Sequence, residues 1–451
     1  MSLRIRATAL IAGLVLAAFA ATSARAVEVR RVVSDGGIEA WLVEDHSNPI
    51  VSLELAFRGG ASLDPEGKAG LANVVSGLLD EGAGDLDSQA FQRKLAEDAI
   101  KLSFDVGRDS FRGSLQTMKE NLDKAIGLLS LSLAQPRFDE EPIRRIKSQI
   151  LANLARKSQD PSSIANRTLD RVVFPDHPYG RPVEGTQDSV KAVTRADMQE
   201  FAATRFARDR LVVGVAGDIT PAELKPLLDK AFGDLPESNG DLPPVPEVEA
   251  RGEGDIVVIE EPVPQSWIAF AHNGIRRDDP DYYAANLVEY VLGGGSFASR
   301  LYEEVREKRG LVYSIYTYLQ PMDHGALVAG GLGTSNASVG QALSVVREEW
   351  RRMAEEGPTA EELADAKTYM TGSFPLRLSS TGSIAGILTA MQLENLGIDY
   401  IDRRKELIEK VTLEQARRVA SELLNPDNLA VVVVGKPEGV EATRPAPGGR
   451  S

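Results

Sequence analysis

The chain has no cysteine. Disulfides, thiol nucleophiles and thiolate metal ligands are therefore excluded. Stability has to come from packed cores, which a length of 451 residues allows. Histidine is scarce too. The four present, His46, His177, His272 and His324, include no pair at the i,i+4 spacing that lets two imidazoles on one helix face share a cation. Gly293-Gly294-Gly295-Ser296 looks like a phosphate cradle only superficially, because no Gly-Lys-Ser/Thr follows it. Neither Gly372-Ser373-Phe374 nor Leu378-Ser379-Ser380-Thr381-Gly382 makes a serine-nucleophile elbow. Beyond Ala26 no stretch is apolar and long enough to span a bilayer, and there is no tandem short repeat or heptad array.

What is present begins with a leader. Arg4 and Arg6 precede an apolar run from Ala7 to Ala21, broken only by Thr8, and Ala24-Arg25-Ala26 offers small residues for cleavage. This layout predicts a cleavable signal peptide over residues 1–26, with no stable membrane insertion afterwards. Together with the missing cysteine it suggests a bacterial periplasm. Removing three arginines and no acid takes the formal charge from −15 to −18 over the remaining 425 residues. Such a balance argues against nucleic acid as a partner, since that binding rests on neutralising phosphates.

The sequence reads as two halves of the same plan. Residues 239–254, NGDLPPVPEVEARGEG, have no periodic apolar face and read as a linker. In the first half, Val51 to Phe57 alternates before Arg58-Gly59-Gly60. In the second, Ser266 to His272 runs before Asn273-Gly274. Each strand leads through a polar loop into a helical pattern, Leu71 to Leu79 or Tyr283 to Leu292. Each half closes on an apolar run, Leu211 to Asp218 or Leu429 to Lys436. The expected fold is α+β (mixed α/β), with two homologous domains over 27–238 and 255–438, each a mixed sheet packed with helices. Residues 439–451 are expected to form a flexible tail.

Three segments carry a resemblance: Gly70-Leu71-Ala72-Asn73-Val74-Val75-Ser76-Gly77, His177-Pro178-Tyr179-Gly180-Arg181-Pro182, and Arg306-Glu307-Lys308-Arg309-Gly310-Leu311-Val312-Tyr313. Over roughly residues 30–436 the chain resembles the pitrilysin- or insulinase-like zinc peptidases of the M16 family. In that family a helix carries His-x-x-Glu-His, two zinc ligands and the water-activating glutamate. Here Asn73, Ser76 and Gly77 occupy those positions. The resemblance places the family's further glutamate ligand at Asn153. Asn73 offers no imidazole, Ser76 cannot act as a carboxylate base, and Gly77 has no side chain. Leu71, Val74, Val75 and Leu78 form the buried stripe of an ordinary core helix.

The resemblance also implies that Arg306 and Tyr313 are substrate-binding residues reaching a peptidase cleft. The reading that follows is a non-catalytic subunit, with no metal or other cofactor of its own. It would bind unfolded peptide beside an M16 subunit that carries the intact motif and the zinc. The alternative is a metal-free peptide-binding or assembly scaffold with no catalytic partner. Ile100 to Val106 alternates and is a candidate edge strand for peptide addition.

Overall fold

The computed structural model describes residues 28–447, so the expected leader lies outside the described residues. Among the described residues eleven strands form two sheets. The first contains β1 (Arg30–Val33), β2 (Glu39–Glu44), β3 (Ile50–Arg58), β4 (Lys101–Val106), β5 (Ser110–Met118) and β6 (Leu211–Gly217). The second contains β7 (Ile256–Glu260), β8 (Gln265–Asn273), β9 (Val312–Met322), β10 (Gly325–Ser335) and β11 (Ala430–Gly435).

The strand orders are β1-β2-β6-β3-β5-β4 and β7-β11-β8-β10-β9. Without β1 the two sheets are the same permutation. Each has one parallel pair, β2 with β6 and β7 with β11, and its remaining neighbours are antiparallel. The duplication expected from the recurring sequence plan is thus present at the level of topology. Strand burial follows position in the sheet. Edge strand β4 alternates exposed Lys101 and Ser103 with buried Leu102. Central β11 is buried at every residue, because both of its faces are covered.

What covers them is exchanged between the halves. The helix Thr381–Leu393, from the second half, lies on β3 and β6 of the first sheet. Its Ile384, Ala385, Leu388 and Met391 bury against Val43 and Ala216. A Cβ at Gly214 would sit 2.3 Å from the Ala385 carbonyl oxygen, so the close approach requires glycine there. Hydrogen bonds pin the same helix. Arg58 donates to the carbonyls of Leu393 and Gln392, both at 2.8 Å, and Gln392 donates to Val213 O at 2.9 Å.

Conversely, the helix Pro161–Val173, from the first half, lies on β8 and β11 of the second sheet. There Ala165, Leu169 and Val172 pack with Ala269, Ala271 and Val432. Each leucine buried in this way contributes about 1.5–3 kcal/mol relative to exposure. The other faces carry the separate main cores, marked by Phe57, Phe111 and Phe206 in one and by Phe270 against Trp350 in the other.

Tyr179 closes the junction. It is fully buried, donates to Asp109 Oδ1 at 2.7 Å and accepts from the His324 backbone N–H at 3.0 Å. The His177–Pro182 loop therefore serves architecture. Arg181 donates to the Ser62 and Asp64 carbonyls, and His177 meets the Pro246 carbonyl at 2.9 Å.

Residues 239–254 contain neither helix nor strand and run along this seam. Val248 N donates to His324 O and Arg251 N to Val173 O.

Two expectations are corrected. The tail is not loose over its described part. Thr443 exchanges hydrogen bonds with Ile256, accepting at Oγ1 and donating from its N–H, each at 2.8 Å, and Arg444 pairs with Asp255 at 2.8 Å. The edge strand β7 has unpaired backbone groups, and the tail occupies them. The helix expected from Leu71 to Leu79 is only Leu71–Ser76, ending at Gly77. Leu78 still completes the buried stripe with Leu71, Val74 and Val75.

Candidate functional site

The short helix Leu71–Ser76 is built to be held rigidly. Gly70 precedes it in the left-handed region, at φ +91°. The buried Asp64 carboxylate accepts from the Gly70 and Ala72 N–H groups, at 2.8 and 3.1 Å, satisfying donors that a helix start leaves free. Burial pushes Asp64 up to about 6 against the pull of those bonds. Gly77 faces the helix Glu140–Lys157, where a Cβ would come within 3.1 Å of Ile146 Cγ2. A side chain at this position would require Ile146 to give by a few tenths of an ångström.

Asn73 and Ser76 line a cavity of about 570 Å³ together with Phe104, Asp105 and Val106 of β4. The Ser76 hydroxyl is spent on the Asn73 carbonyl at 2.9 Å. Gly77 and Asn153 do not line this cavity, and Asn153 Oδ1 instead accepts from Arg156 at 2.7 Å. Two of the cations around the space are paired with carboxylates that also line it, while Arg167 and Asp105 line it without an ion pair between them. Arg108 binds Asp170 at 2.6 Å and Lys157 binds Glu184. Burial pushes Asp170 up while Arg108 opposes it.

Among the described residues no group of three or more His, Cys, Asp or Glu is placed to hold a metal ion. The four histidines have other partners. His272 is the clearest case. It is buried, accepts from Trp350 Nε1 at 3.0 Å at its Nε2, and is held down at about 4 by burial, so it stays neutral.

The second candidate set lies elsewhere. Arg306 sits in a π-helical turn, Tyr302–Glu307, and Tyr313 begins the exposed side of β9. The Arg306 guanidinium lies over Tyr302 at 4.6 Å, near Tyr313 at 5.5 Å and Phe297 at 6.0 Å from the ring centroids. Tyr313 is 82% exposed and Phe297 77%. A tyrosine at such exposure is not holding a core together. The glycine-rich turn that presents Phe297 rests on a buried carboxyl. Thr317 donates to Glu289 at 2.7 Å, and burial pushes Glu289 up to about 7.

Sequence reasoning missed Phe297, Tyr316 and Tyr318. The alternation along β9 was the available signal. Tyr316 and Tyr318 stack on one face with centroids 6.2 Å apart. Burial raises the Tyr318 phenol, with Tyr316, Asp170 and Arg108 acting on it as well. Neither Arg306 nor Tyr313 lines the Asn73 cavity. Five residues of strand, roughly 17 Å, separate Tyr313 from Tyr318. The chain therefore does not bring its two candidate sets into one site.

The twofold repeat defines a class, a duplicated mixed α/β fold in which, among the described residues, no group of three or more metal-ligating side chains is assembled. Residues 40–187 match the family described as Insulinase (Peptidase family M16), and residues 192–370 match Peptidase M16 inactive domain. The chain belongs to the M16 peptidase family. It is 29% identical over 373 residues to the non-peptidase homolog YmxG of Helicobacter pylori, covering 82% of this chain and 86% of the other. It is 27% identical over 410 residues, 89% and 91% of the two chains, to an uncharacterized zinc protease of Mycobacterium leprae. The crystal structure of a peptidase M16 inactive domain from Pseudomonas fluorescens superposes with a TM-score of 0.85 at 29% identity, over 93% of this chain and all of that one.

Proposed function

We propose that this protein is the non-catalytic, peptide-contacting subunit of a periplasmic zinc endopeptidase. A second M16 chain with an intact His-x-x-Glu-His motif supplies the zinc and the activated water. This chain supplies Arg306 and Tyr313 to the joint cleft. The observation that carries the reading is the displayed pair itself. Arg306 and Tyr313 are held side by side on the surface by flanking rings, away from the chain's own Asn73 cavity. Such a pair suits a substrate held against another subunit. Arg306 can donate to a peptide carbonyl and Tyr313 can offer its hydroxyl to a developing oxyanion. The periplasmic assignment rests on the leader sequence.

The test is reconstitution. Each mature chain is assayed alone and mixed, with an unfolded peptide as substrate. Cleavage that requires both chains and is abolished by chelator supports the proposal. A zinc-bearing chain that cleaves equally well alone, or a heteromer that never forms, returns the protein to the scaffold reading.

A further inference from the structure

A second cavity, of about 340 Å³, lies between the exchanged helix Thr381–Leu393 and the second domain's own helices. Its apolar wall includes Met370, Phe374, Ile387 and Met391. Its polar wall is cationic. Arg277, Arg377 and Arg404 line it against a single carboxylate, Glu394, in a chain whose net charge is −15.

Arg277 is the unusual member. It is half-buried among Tyr282, Tyr283 and Tyr400, its guanidinium carbon 4.2, 5.3 and 5.6 Å from their ring centroids. Its Nη2 donates to the Tyr283 and Tyr400 hydroxyls, both at 3.2 Å. The Tyr400 phenol stays neutral, since burial pushes it up to about 12. Among the described residues no carboxylate forms an ion pair with Arg277, Glu394 included. A buried charge is ordinarily paired, because its desolvation is otherwise uncompensated. Here rings and phenols hold the guanidinium in place beside an open apolar space, and Glu394 on the cavity wall feels its charge without forming an ion pair with it.

We infer that this cavity is a binding site for an organic carboxylate on an apolar body, with the carboxylate on Arg277 and the apolar part against Ile387 and Met391. A guanidinium fork matches a carboxylate through paired N–H donors. The apolar wall disfavours a bare inorganic anion, and the size lies at the small end of ligand pockets. The same chemistry arises from a free hydrophobic acid or from the C-terminus of a peptide ending in an apolar residue. The site is separate from Arg306 and Tyr313 and does not depend on the proposed function.

Isothermal titration of the full mature chain with 3-phenylpropionate and with 3-phenylpropionamide tests the inference. A short peptide ending in phenylalanine, as acid and as amide, forms the second arm. The acid is expected to bind at least about tenfold more tightly than its amide in one arm or both, the scale of a charge-assisted hydrogen bond. The arm that binds identifies the source. Arg277→Met should abolish the preference. Ile387→Phe, which leaves the guanidinium in place, should block binding by filling the apolar part. Equal affinity for acid and amide, or no binding by any probe up to about 10 mM, overturns the inference even if the Arg277 variant does not fold.

Discussion

The two sheets have one topology and opposite surface properties. In the first domain, the edge beside β4 borders a cavity whose Arg108 and Lys157 are each satisfied by an internal carboxylate. In the second domain, the corresponding edge strand β9 displays Tyr313 beside Arg306, and among the described residues no carboxylate pairs with that arginine. The scaffold is repeated while the two edges differ, one bordered by two internal ion pairs and one presenting a cation among rings. The lesson is that shared strand order says little about shared chemistry, which depends on how each edge's charges are satisfied.

The largest expected effect tests whether the domains are independent. Leu388 and Leu169 each bury on the other half's sheet. Leu388→Ala and Leu169→Ala should each cost about 2–5 kcal/mol in urea unfolding. Hydrogen exchange should rise in β3 and β6 for the first variant and in β8 and β11 for the second. Exchange confined to the half that carries the mutation would show that the domains stand alone.

The buried carboxyl under the second domain's glycine turn comes next. Glu289 titrates near 7 when folded, against an unfolded value of about 4.3. The folded state therefore holds the proton more tightly, and Glu289 lowers stability as pH rises from about 4 to 7. Glu289→Gln keeps an acceptor for Thr317 and removes the charge. At pH 8 it should be more stable than the unmutated chain by about 1–3 kcal/mol, with the difference vanishing near pH 4. A difference in urea midpoint that does not change with pH would contradict this account.

Arg306→Ala and Tyr313→Phe sharpen the contrast between the edges. Tyr313 is exposed while Arg306 is half-buried over Tyr302, so stability should move by less than about 0.5 kcal/mol for Tyr313→Phe and by about 0.5–1 kcal/mol for Arg306→Ala. Cleavage by the reconstituted complex should fall at least about tenfold, with subunit assembly retained. Unchanged turnover by both variants across several peptides would remove their assigned role.

The smallest effect is expected at the altered helix. Asn73→His supplies one imidazole, yet Gly77 offers none and Asn153 does not line the cavity. Elemental analysis after dialysis should find no stoichiometric zinc, and the variant alone should not cleave peptide. One tightly held zinc per chain would refute this.

The sequence alone determined the halves, their strand–helix recurrence and the chemical incapacity at residues 73, 76 and 77, because periodicity and side-chain identity are local properties. Arg306 and Tyr313 stood out only through the resemblance of their segment to the M16 family, not through spacing alone. Register at Asn153 was less legible, since a position some seventy residues away depends on how an intervening hairpin and helix fold back. Three features belonged to the tertiary structure alone: the exchange of covering helices, the fastening of the tail to β7, and the Arg277 cavity. Each joins residues far apart in the chain, such as Leu388 with Val43 or Thr443 with Ile256. Nothing in local periodicity says which sheet an apolar helix face will cover. That is decided by which surface remains unburied once every other element has packed.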